Sequence, residues 1–182
     1  TLKLEKIGIQ NGVKALKVDL TGPATAIPRA VSGPFTLTSQ DAFGNASNVA
    51  ADTTFDLSSN SSGTKTFYSD AAGTSVITQV TITNGSSTAT FYYKDMALGT
   101  PTLTTAWNSG GTNLGSDTLQ ITVIVGAAGK VILTGPATAI AGTVSGPFTL
   151  TSQDAFGNVS NVAANTTFDL SSNSSGTKTF YS

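Results

Sequence analysis

Apolar residues alternate with Ser and Thr over short stretches of this chain, which is the pattern of β-strands with one buried face. In Phe35–Gln40 (FTLTSQ), Phe35 and Leu37 are predicted to point inward, and the intervening Thr residues outward. Thr53–Leu57 (TTFDL) repeats this alternation with Phe55 and Leu57 inward. No amphipathic helix of useful length is found, so the pattern predicts an all-β protein.

The remaining strands are predicted from the same alternation, with turn residues between them. They are Ala15–Leu20, Lys65–Ser69, Val76–Thr83, Thr88–Tyr93, Thr102–Trp107 and Thr118–Val125. Their predicted inward residues are Leu16, Val18, Leu20, Val76, Val80, Ile82, Ala89, Phe91, Tyr93, Leu119, Ile121, Val123 and Val125. Asn84-Gly85 predicts a hairpin between Val76–Thr83 and Thr88–Tyr93, because both turn residues tolerate positive φ. Short strands with recurring turns predict an immunoglobulin-like β-sandwich.

The chain also contains an internal repeat. Residues Leu20–Ser69 and Leu133–Ser182 align without a gap at an offset of 113, and 45 of these 50 positions are identical. The differences are Pro28/Ala141, Arg29/Gly142, Ala30/Thr143, Ala46/Val159 and Asp52/Asn165. The first three fall in one short segment, which predicts a loop there. Because nearly every residue is kept, identity between the copies does not single out a functional residue.

The repeat divides the sequence into predicted domains. Residues 1–12 are predicted to be either the end strand of a preceding unit or an N-terminal strand that pairs locally. Residues 13–126 form a full repeat, and residues 127–182 form the first half of a second repeat. A half copy cannot bury its own core well. Either the sequence is cut inside a longer protein, or strands from a neighbouring chain complete the half copy and build a fibre. The short linker Gly126–Gly129 (GAAG) limits bending between units.

Composition narrows the class of function. Ser and Thr make up 52 of 182 residues, whereas charged residues make up only 10 % and the net charge is −1. This balance gives no basic surface for nucleic acid or an anionic membrane, and no apolar run is long enough to insert into a membrane. The chain has no Cys and no His, which excludes thiolate and His-based metal sites and catalytic triads. With a single Glu, the chain offers no firm acid–base pair, and we expect no enzyme.

The order FTLTSQDAFGN, TTFDLSS, VTITNGSSTATFYYKD and GTPTLTTAW resembles a bacterial immunoglobulin-like repeat of the kind found in tandem in invasin- and intimin-like adhesins. Asp41, Gly44 and Asn45 match the D-x-x-G-N corner of such repeats, and Asp154, Gly157 and Asn158 match it again. The resemblance implies a structural role at the cell surface or outside the cell. It carries no catalytic residues over to this chain.

The corner SQDAFGN, present at Ser39–Asn45 and Ser152–Asn158, leaves two interpretations open. It is either a turn in which Asp41 accepts hydrogen bonds from nearby backbone N–H groups while Gly44 takes positive φ, or a calcium loop. Calcium takes about six to eight oxygen ligands. The candidate ligands are Asp41, Asn45, Asn48, Asp52, Asp154 and Asn158. No cofactor other than this possible calcium ion is expected.

Aromatic residues form a second candidate site. Phe91 and Tyr93 alternate inward with Tyr92 outward, which favours ordinary core packing; the alternative is a carbohydrate platform that includes Tyr92 and Trp107. The sequence therefore predicts a structural spacer or assembly repeat of an extracellular adhesin, surface layer or filament, whose partners are neighbouring copies of the repeat. The alternative is an extracellular carbohydrate- or calcium-binding module that recognises a surface glycan.

Overall fold

The computed structural model describes residues 14–181, which form two compact units divided between Val125 and Gly126. We call them unit 1 and unit 2. Within the described residues, all regular secondary structure is β. None of these residues belongs to a helix that could cross a membrane. The strand predicted within residues 1–12 lies outside the described part of the chain.

Unit 1 contains eleven strands among its described residues. They are β1 (Lys17–Thr21), β2 (Thr25–Ala26), β3 (Val31–Gln40), β4 (Thr53–Ser59), β5 (Lys65–Tyr68), β6 (Val76–Ile77), β7 (Gln79–Ile82), β8 (Thr88–Asp95), β9 (Thr102–Gly110), β10 (Ser116–Gln120) and β11 (Thr122–Val123). One antiparallel sheet has the order β1-β3-β8-β5-β6 and the other has the order β10-β9-β4-β7. Strands β2 and β11 form a short parallel pair.

The two sheets of unit 1 share one apolar core. Phe35 and Leu37 of β3 and Phe91 of β8 come from the first sheet, and Phe55 of β4 and Leu103 of β9 come from the second. All five are fully buried, and the Phe35 and Phe91 rings stack with their centroids 5.6 Å apart. The predicted fold class, all-β with a β-sandwich repeat, is confirmed.

In the first predicted strand, Ala15–Leu20, one residue that was predicted to point inward is exposed. Leu16 is 52 % exposed, whereas Ala15 is buried in its place. The alternation that buries Val18 and Leu20 begins only at Lys17, where β1 starts. Just before β1, the Leu16 N–H donates to the Gln40 carbonyl. Leu16 and Lys17 are both exposed, so the alternation of buried and exposed side chains is interrupted there.

The predicted strand Val76–Thr83 is two strands that belong to different sheets. Strand β6 pairs with β5 in the first sheet, and β7 pairs with β4 in the second. The chain changes sheets at Thr78, so the alternation does not continue from one strand to the other. Val76, predicted inward, is 64 % exposed for this reason, while Val80 and Ile82 are buried as predicted.

The hairpin predicted at Asn84-Gly85 is also wrong. A turn is present, since the Ser86 N–H donates to the Thr83 carbonyl at 2.9 Å. However, β7 and β8 lie in different sheets, so this turn crosses the sandwich instead of joining paired strands. Gly85 has a φ of +78°, whereas Asn84 does not take positive φ. The tight hairpin turn expected from Asn-Gly needs positive φ at both positions.

The last predicted strand, Thr118–Val125, is interrupted as well. Strand β10 pairs with β9 at the edge of the second sheet, and β11 leaves that sheet to pair with β2. Ile121 and Val123 are buried as predicted, while Leu119 and Val125 are half-buried.

The described residues of unit 2 contain two strands, β12 (Lys130–Thr134) and β13 (Thr149–Gln153), which pair antiparallel. Their register, with Lys130 opposite Gln153 and Thr134 opposite Thr149, matches that of β1 and β3 at the repeat offset. Unit 2 therefore reproduces the one strand pair that lies wholly within the first half of the repeat.

Candidate functional site

The corner of unit 1, Asp41–Asn45, is a turn that follows β3. The Asp41 Oδ1 atom accepts hydrogen bonds from the Phe43 N–H (2.7 Å) and the Asn45 N–H (3.0 Å). Its Oδ2 atom accepts a third from the Asn45 side-chain amide (3.0 Å). Gly44 has a φ of +88°, a conformation that glycine adopts without steric cost. The structure therefore has the hydrogen bonds and backbone conformation of the turn interpretation.

The corner of unit 2, Asp154–Asn158, has the same three bonds around its Asp carboxylate. The Asp154 Oδ1 atom accepts from the Phe156 and Asn158 N–H groups, and its Oδ2 atom accepts from the Asn158 side-chain amide. In addition, the Gly126 N–H donates to Asp154 Oδ2 at 3.0 Å. Gly126 is the first residue of the predicted linker. The corner therefore binds the linker as well as closing the turn.

A second side chain of unit 2, that of Ser160, binds the other backbone polar group of Gly126, its carbonyl. The Ser160 hydroxyl donates to the Gly126 carbonyl at 2.6 Å. The Ser160 backbone is fixed in turn, because its N–H donates to the Ser152 carbonyl and its carbonyl accepts from the Ser152 hydroxyl. We call Asp154 and Ser160 the linker clamp. The corresponding linker residue of unit 1, Val13, lies outside the described residues.

The charge state of the clamp follows from these bonds. Burial raises the pKa of the Asp154 carboxyl, but hydrogen bonds from Asn158, Gly126 and Phe156 to the carboxylate outweigh it and lower the pKa to about 2. Hydrogen bonds, first of all from the Asn45 side chain, likewise lower the pKa of Asp41. Both corners therefore hold carboxylates at neutral pH.

Of the remaining candidate calcium ligands of unit 1, Asn48 is exposed and lines the same cleft as Asp41 and Asn45. The Asp52 carboxylate accepts the Asn84 N–H at 2.7 Å, which ties it to the turn between β7 and β8. A carboxylate has about four acceptor positions, and at Asp154 four hydrogen bonds use them. Across residues 14–181 no three acidic, His or Cys side chains are grouped as a metal site would require. Calcium binding at the corner stays a prediction.

The two candidate glycan-contacting residues belong to different sheets. Tyr92 lies on β8, half-exposed, and Trp107 lies on β9, where its indole N–H donates to the Gly110 carbonyl at 3.1 Å. Phe91 and Tyr93, which flank Tyr92, are buried as expected for core packing. The structure does not bring Tyr92 and Trp107 together on one sheet face.

A hydrogen-bond network around the buried Asp95 side chain was not predicted from the sequence. The buried Tyr93 hydroxyl donates to Asp95 Oδ2 at 2.6 Å and contacts the Ser59 hydroxyl at 2.9 Å. The other Asp95 oxygen accepts from the Ser61 hydroxyl and the Ala97 N–H. Burial first, and then the hydrogen bond to Asp95, raise the pKa of Tyr93 far above its usual range. An Asp two residues after a predicted inward Tyr is the only sequence signal for this network.

Comparison with known proteins places the chain in no family. No family model and no curated protein matches it. Among solved structures it is similar to the surface layer protein SbsC. Domains 4–9 of that protein are 15 % identical over 81 % of this chain and 21 % of that chain, with a TM-score of 0.41. For domains 1–6 the identity is 15 % over 82 % of this chain and 17 % of that chain, with a TM-score of 0.40. Domains 5–6 of SbsC are 17 % identical over 81 % of this chain and 65 % of that chain, with a TM-score of 0.38.

The chain thus spans about a fifth of the length of the first two structures. With TM-scores below 0.5, these similarities carry no argument about family or function. They do not confirm the resemblance to invasin- and intimin-like repeats. The fold rests on the strands and core described above.

Proposed function

We propose that this chain is a stretch of tandem structural repeats from an extracellular or cell-surface protein, and that its role is to act as a spacer. The observation that carries the proposal is how the chain passes from unit 1 to unit 2. Unit 1 binds the backbone up to Ile124, and unit 2 binds it again from Gly126. Val125 alone lies between these two residues.

The contacts on the unit 1 side are backbone hydrogen bonds. The Ile124 N–H donates to the Ala26 carbonyl at 2.9 Å, and the Val123 N–H donates to the Gly99 carbonyl at 2.7 Å. The first bond continues the short β2–β11 pair, and the second belongs to a bridge between Val123 and Gly99. The backbone therefore leaves unit 1 from a fixed position.

On the unit 2 side the contacts begin at once. The linker clamp binds both the N–H and the carbonyl of Gly126, and the Gly129 N–H donates to the Gln153 carbonyl at 2.8 Å. A free Gly- and Ala-rich linker is a flexible chain. Here both ends of the Gly126–Gly129 linker are bound to the unit that follows. A spacer benefits from a linker whose backbone is bound, and within unit 2 the corner binds the first residue of the linker.

The surface chemistry supports an extracellular setting. The polar positions of the strands are mostly Thr and Ser, and the chain has a net charge of −1. Near-identical repeats in tandem suit a protein whose function is to span a distance. Adhesion, glycan binding and assembly into a surface layer or filament remain proposals beyond the spacer role.

The distance distribution between one label in each unit tests the proposal. Because the chain has no Cys, a Thr90→Cys and Thr149→Cys pair can carry spin labels at unique sites on β8 and β13. We expect a narrow distribution by pulsed electron paramagnetic resonance. Ser160→Ala leaves the corner turn intact and removes one clamp bond, so it should broaden the distribution. Asp154→Ala should broaden it further, to at least twice the original width.

Asp169→Ala is the matched control, because it removes an exposed acid from the same unit and leaves the clamp unchanged. Its distribution should equal that of the parent chain. A parent distribution already as broad as that of the Asp154→Ala chain would contradict the spacer role.

A further inference from the structure

Two segments near the start and the end of the described part of unit 1 lie side by side and run in the same direction. The Leu20 N–H donates to a carboxylate oxygen of Asp117 at 2.7 Å, 97 positions away. Strands β2 and β11 pair in parallel with the same offset, since Thr25 lies opposite Thr122. The two segments therefore keep one parallel register at both places. We call these two segments the seam: residues 20–26 and 117–124.

Hydrogen bonds cross the seam at three levels. The carboxylate bond joins β1 and β10, which are edge strands of the two different sheets. Further along, the Thr122 N–H donates to the Ala24 carbonyl and the Ile124 N–H donates to the Ala26 carbonyl, both at 2.9 Å. Among the described residues β2 pairs with no strand other than β11, so the seam is what attaches β2 to a neighbouring strand.

Apolar side chains cover the seam on its core side. Leu20 and Ala26 of the first segment are buried, and so are Ile121 and Val123 of the second. All four belong to the sandwich core of unit 1. Buried neighbours exclude water that could replace the hydrogen bonds from that side, and a hydrogen bond is stronger where the local dielectric constant is low. The seam is therefore protected against exchange with solvent on one side along its length.

Parallel direction decides how the seam responds to tension on the backbone. The chain enters the first segment from β1 and leaves the second segment at Ile124, so these two points lie at opposite ends of the seam. Pulling them apart slides one segment lengthwise past the other and loads all the bonds across the seam together. An antiparallel pair that is pulled from the end where both strands are held opens one bond at a time instead. Forced unfolding is governed by the unfolding rate, which is slower when several bonds must break together.

We infer that the seam bears load, and that unit 1 uses it to carry tension along the chain without unfolding. This inference deepens the proposed spacer role and rests on it, since a spacer attached at both ends is pulled along its backbone. The bonds that carry it lie within unit 1 and are separate from the linker clamp of unit 2. Resistance to force and order of the linker can therefore be measured independently.

Single-molecule force spectroscopy on the intact chain tests the inference by comparing two directions of pulling. Because the chain has no Cys, DNA handles can be attached at introduced pairs of Cys. The pair Lys14→Cys and Val125→Cys loads the seam lengthwise. The pair Lys14→Cys and Ala42→Cys peels β1 from β3 at the end where Lys17 lies opposite Gln40. At the same constant force, unfolding should be at least about tenfold slower for the lengthwise pair than for the peeling pair.

A substitution on the seam should act in one direction of pulling only. Ile124→Pro removes the N–H that donates to Ala26 and should make unfolding about fivefold faster for the lengthwise pair. Unfolding of the peeling pair should not change. Ile124→Ala is the matched control, because it keeps the N–H and shortens a half-exposed side chain. Its unfolding rate should equal that of the parent chain in both directions.

A second variant keeps the test independent of how Ile124→Pro folds. Asp117→Asn removes the charge from the acceptor of the Leu20 N–H and should also speed unfolding of the lengthwise pair alone, whereas Asp19→Asn on β1 should not. Equal rates in the two directions for the parent chain, or seam variants that change both directions alike, would overturn the inference. Broad distances between the spin labels together with slow lengthwise unfolding would instead contradict the spacer role and leave the load-bearing seam standing.

Discussion

The Asp154 carboxylate accepts a hydrogen bond from the Gly126 N–H at 3.0 Å, across 28 positions of sequence. This bond gives the repeated SQDAFGN corner a role that its turn geometry alone does not have. The turn positions the carboxylate, and the carboxylate with Ser160 positions the linker. In unit 2, the motif that closes the turn after β13 also binds the chain that enters the unit.

The first prediction concerns acid. Because the pKa of Asp154 in the folded unit is about 2, below its ordinary value near 3.8, the carboxylate stabilises unit 2 at any pH above about 4. This contribution is lost as the pH falls from about 4 through 2. The amide shift of Gly126, followed by NMR, should therefore titrate with a midpoint near 2. A midpoint near 4 would show that the carboxylate is not held by these bonds.

The buried network around Asp95 gives the second prediction. Tyr93→Phe removes the hydroxyl that donates to Asp95 and leaves a buried carboxylate short of one donor. The free energy of unfolding of unit 1 should fall by about 1–3 kcal/mol. Urea unfolding followed by fluorescence of the single Trp measures it. Tyr92→Phe on the same strand, where the ring is half-exposed, should change stability little; equal losses for both variants would argue against the network.

The repeat supplies its own control for the third prediction. Gly22→Ala places a methyl group against the buried Phe35 ring and should destabilise unit 1 by about 1–3 kcal/mol. Gly135→Ala meets Phe148 in the same way, but that ring is more than half exposed and can move. The main unfolding transition should therefore shift only for Gly22→Ala. A comparable shift for Gly135→Ala would mean that the Phe148 ring is held as firmly as the Phe35 ring.

A turn that differs between the copies gives the fourth prediction. The Ala30 N–H donates to the Ile27 carbonyl, and Arg29 has a φ of +70° at the third position of this turn. The second copy has Gly142 there, with a φ of +77°. Arg29→Gly should stabilise unit 1 by about 1 kcal/mol, since a side chain in this conformation is strained. Pro28→Ala, also taken from the second copy, should lower stability instead. Thermal unfolding of the two variants measures whether each substitution raises or lowers the stability of unit 1.

Much of the fold could be predicted from the sequence, because alternation identifies strands that have one buried face. Phe35 and Phe55 lie inward as the pattern predicts. The pattern fails where the chain changes sheets, as at Thr78. Alternation shows which side of a strand is apolar, but the choice of partner strand depends on packing between distant segments. For the same reason Asn84-Gly85 correctly predicted a turn and wrongly predicted a hairpin.

The candidate site was harder to predict, and the second repeat shows why. Ser160 and Gly126 have no distinctive motif, because Ser is abundant and the copies are nearly identical throughout. Their role depends on a contact between the linker and the corner that only the folded chain creates. The sequence TTFDLSS makes the same point, since it is a strand in unit 1 and not in unit 2.

The central claim is that the backbone is bound on both sides of Val125, and the most direct measurement is the NMR order parameter of each N–H from Thr122 to Lys130. The account predicts rigid values, about 0.85, at Val123, Ile124, Gly126 and Gly129. Replacing Ser160 by Ala should lower the value at Gly126 and leave Val123 unchanged. A continuous run below about 0.6 over Gly126–Gly129 in the parent chain would contradict the account.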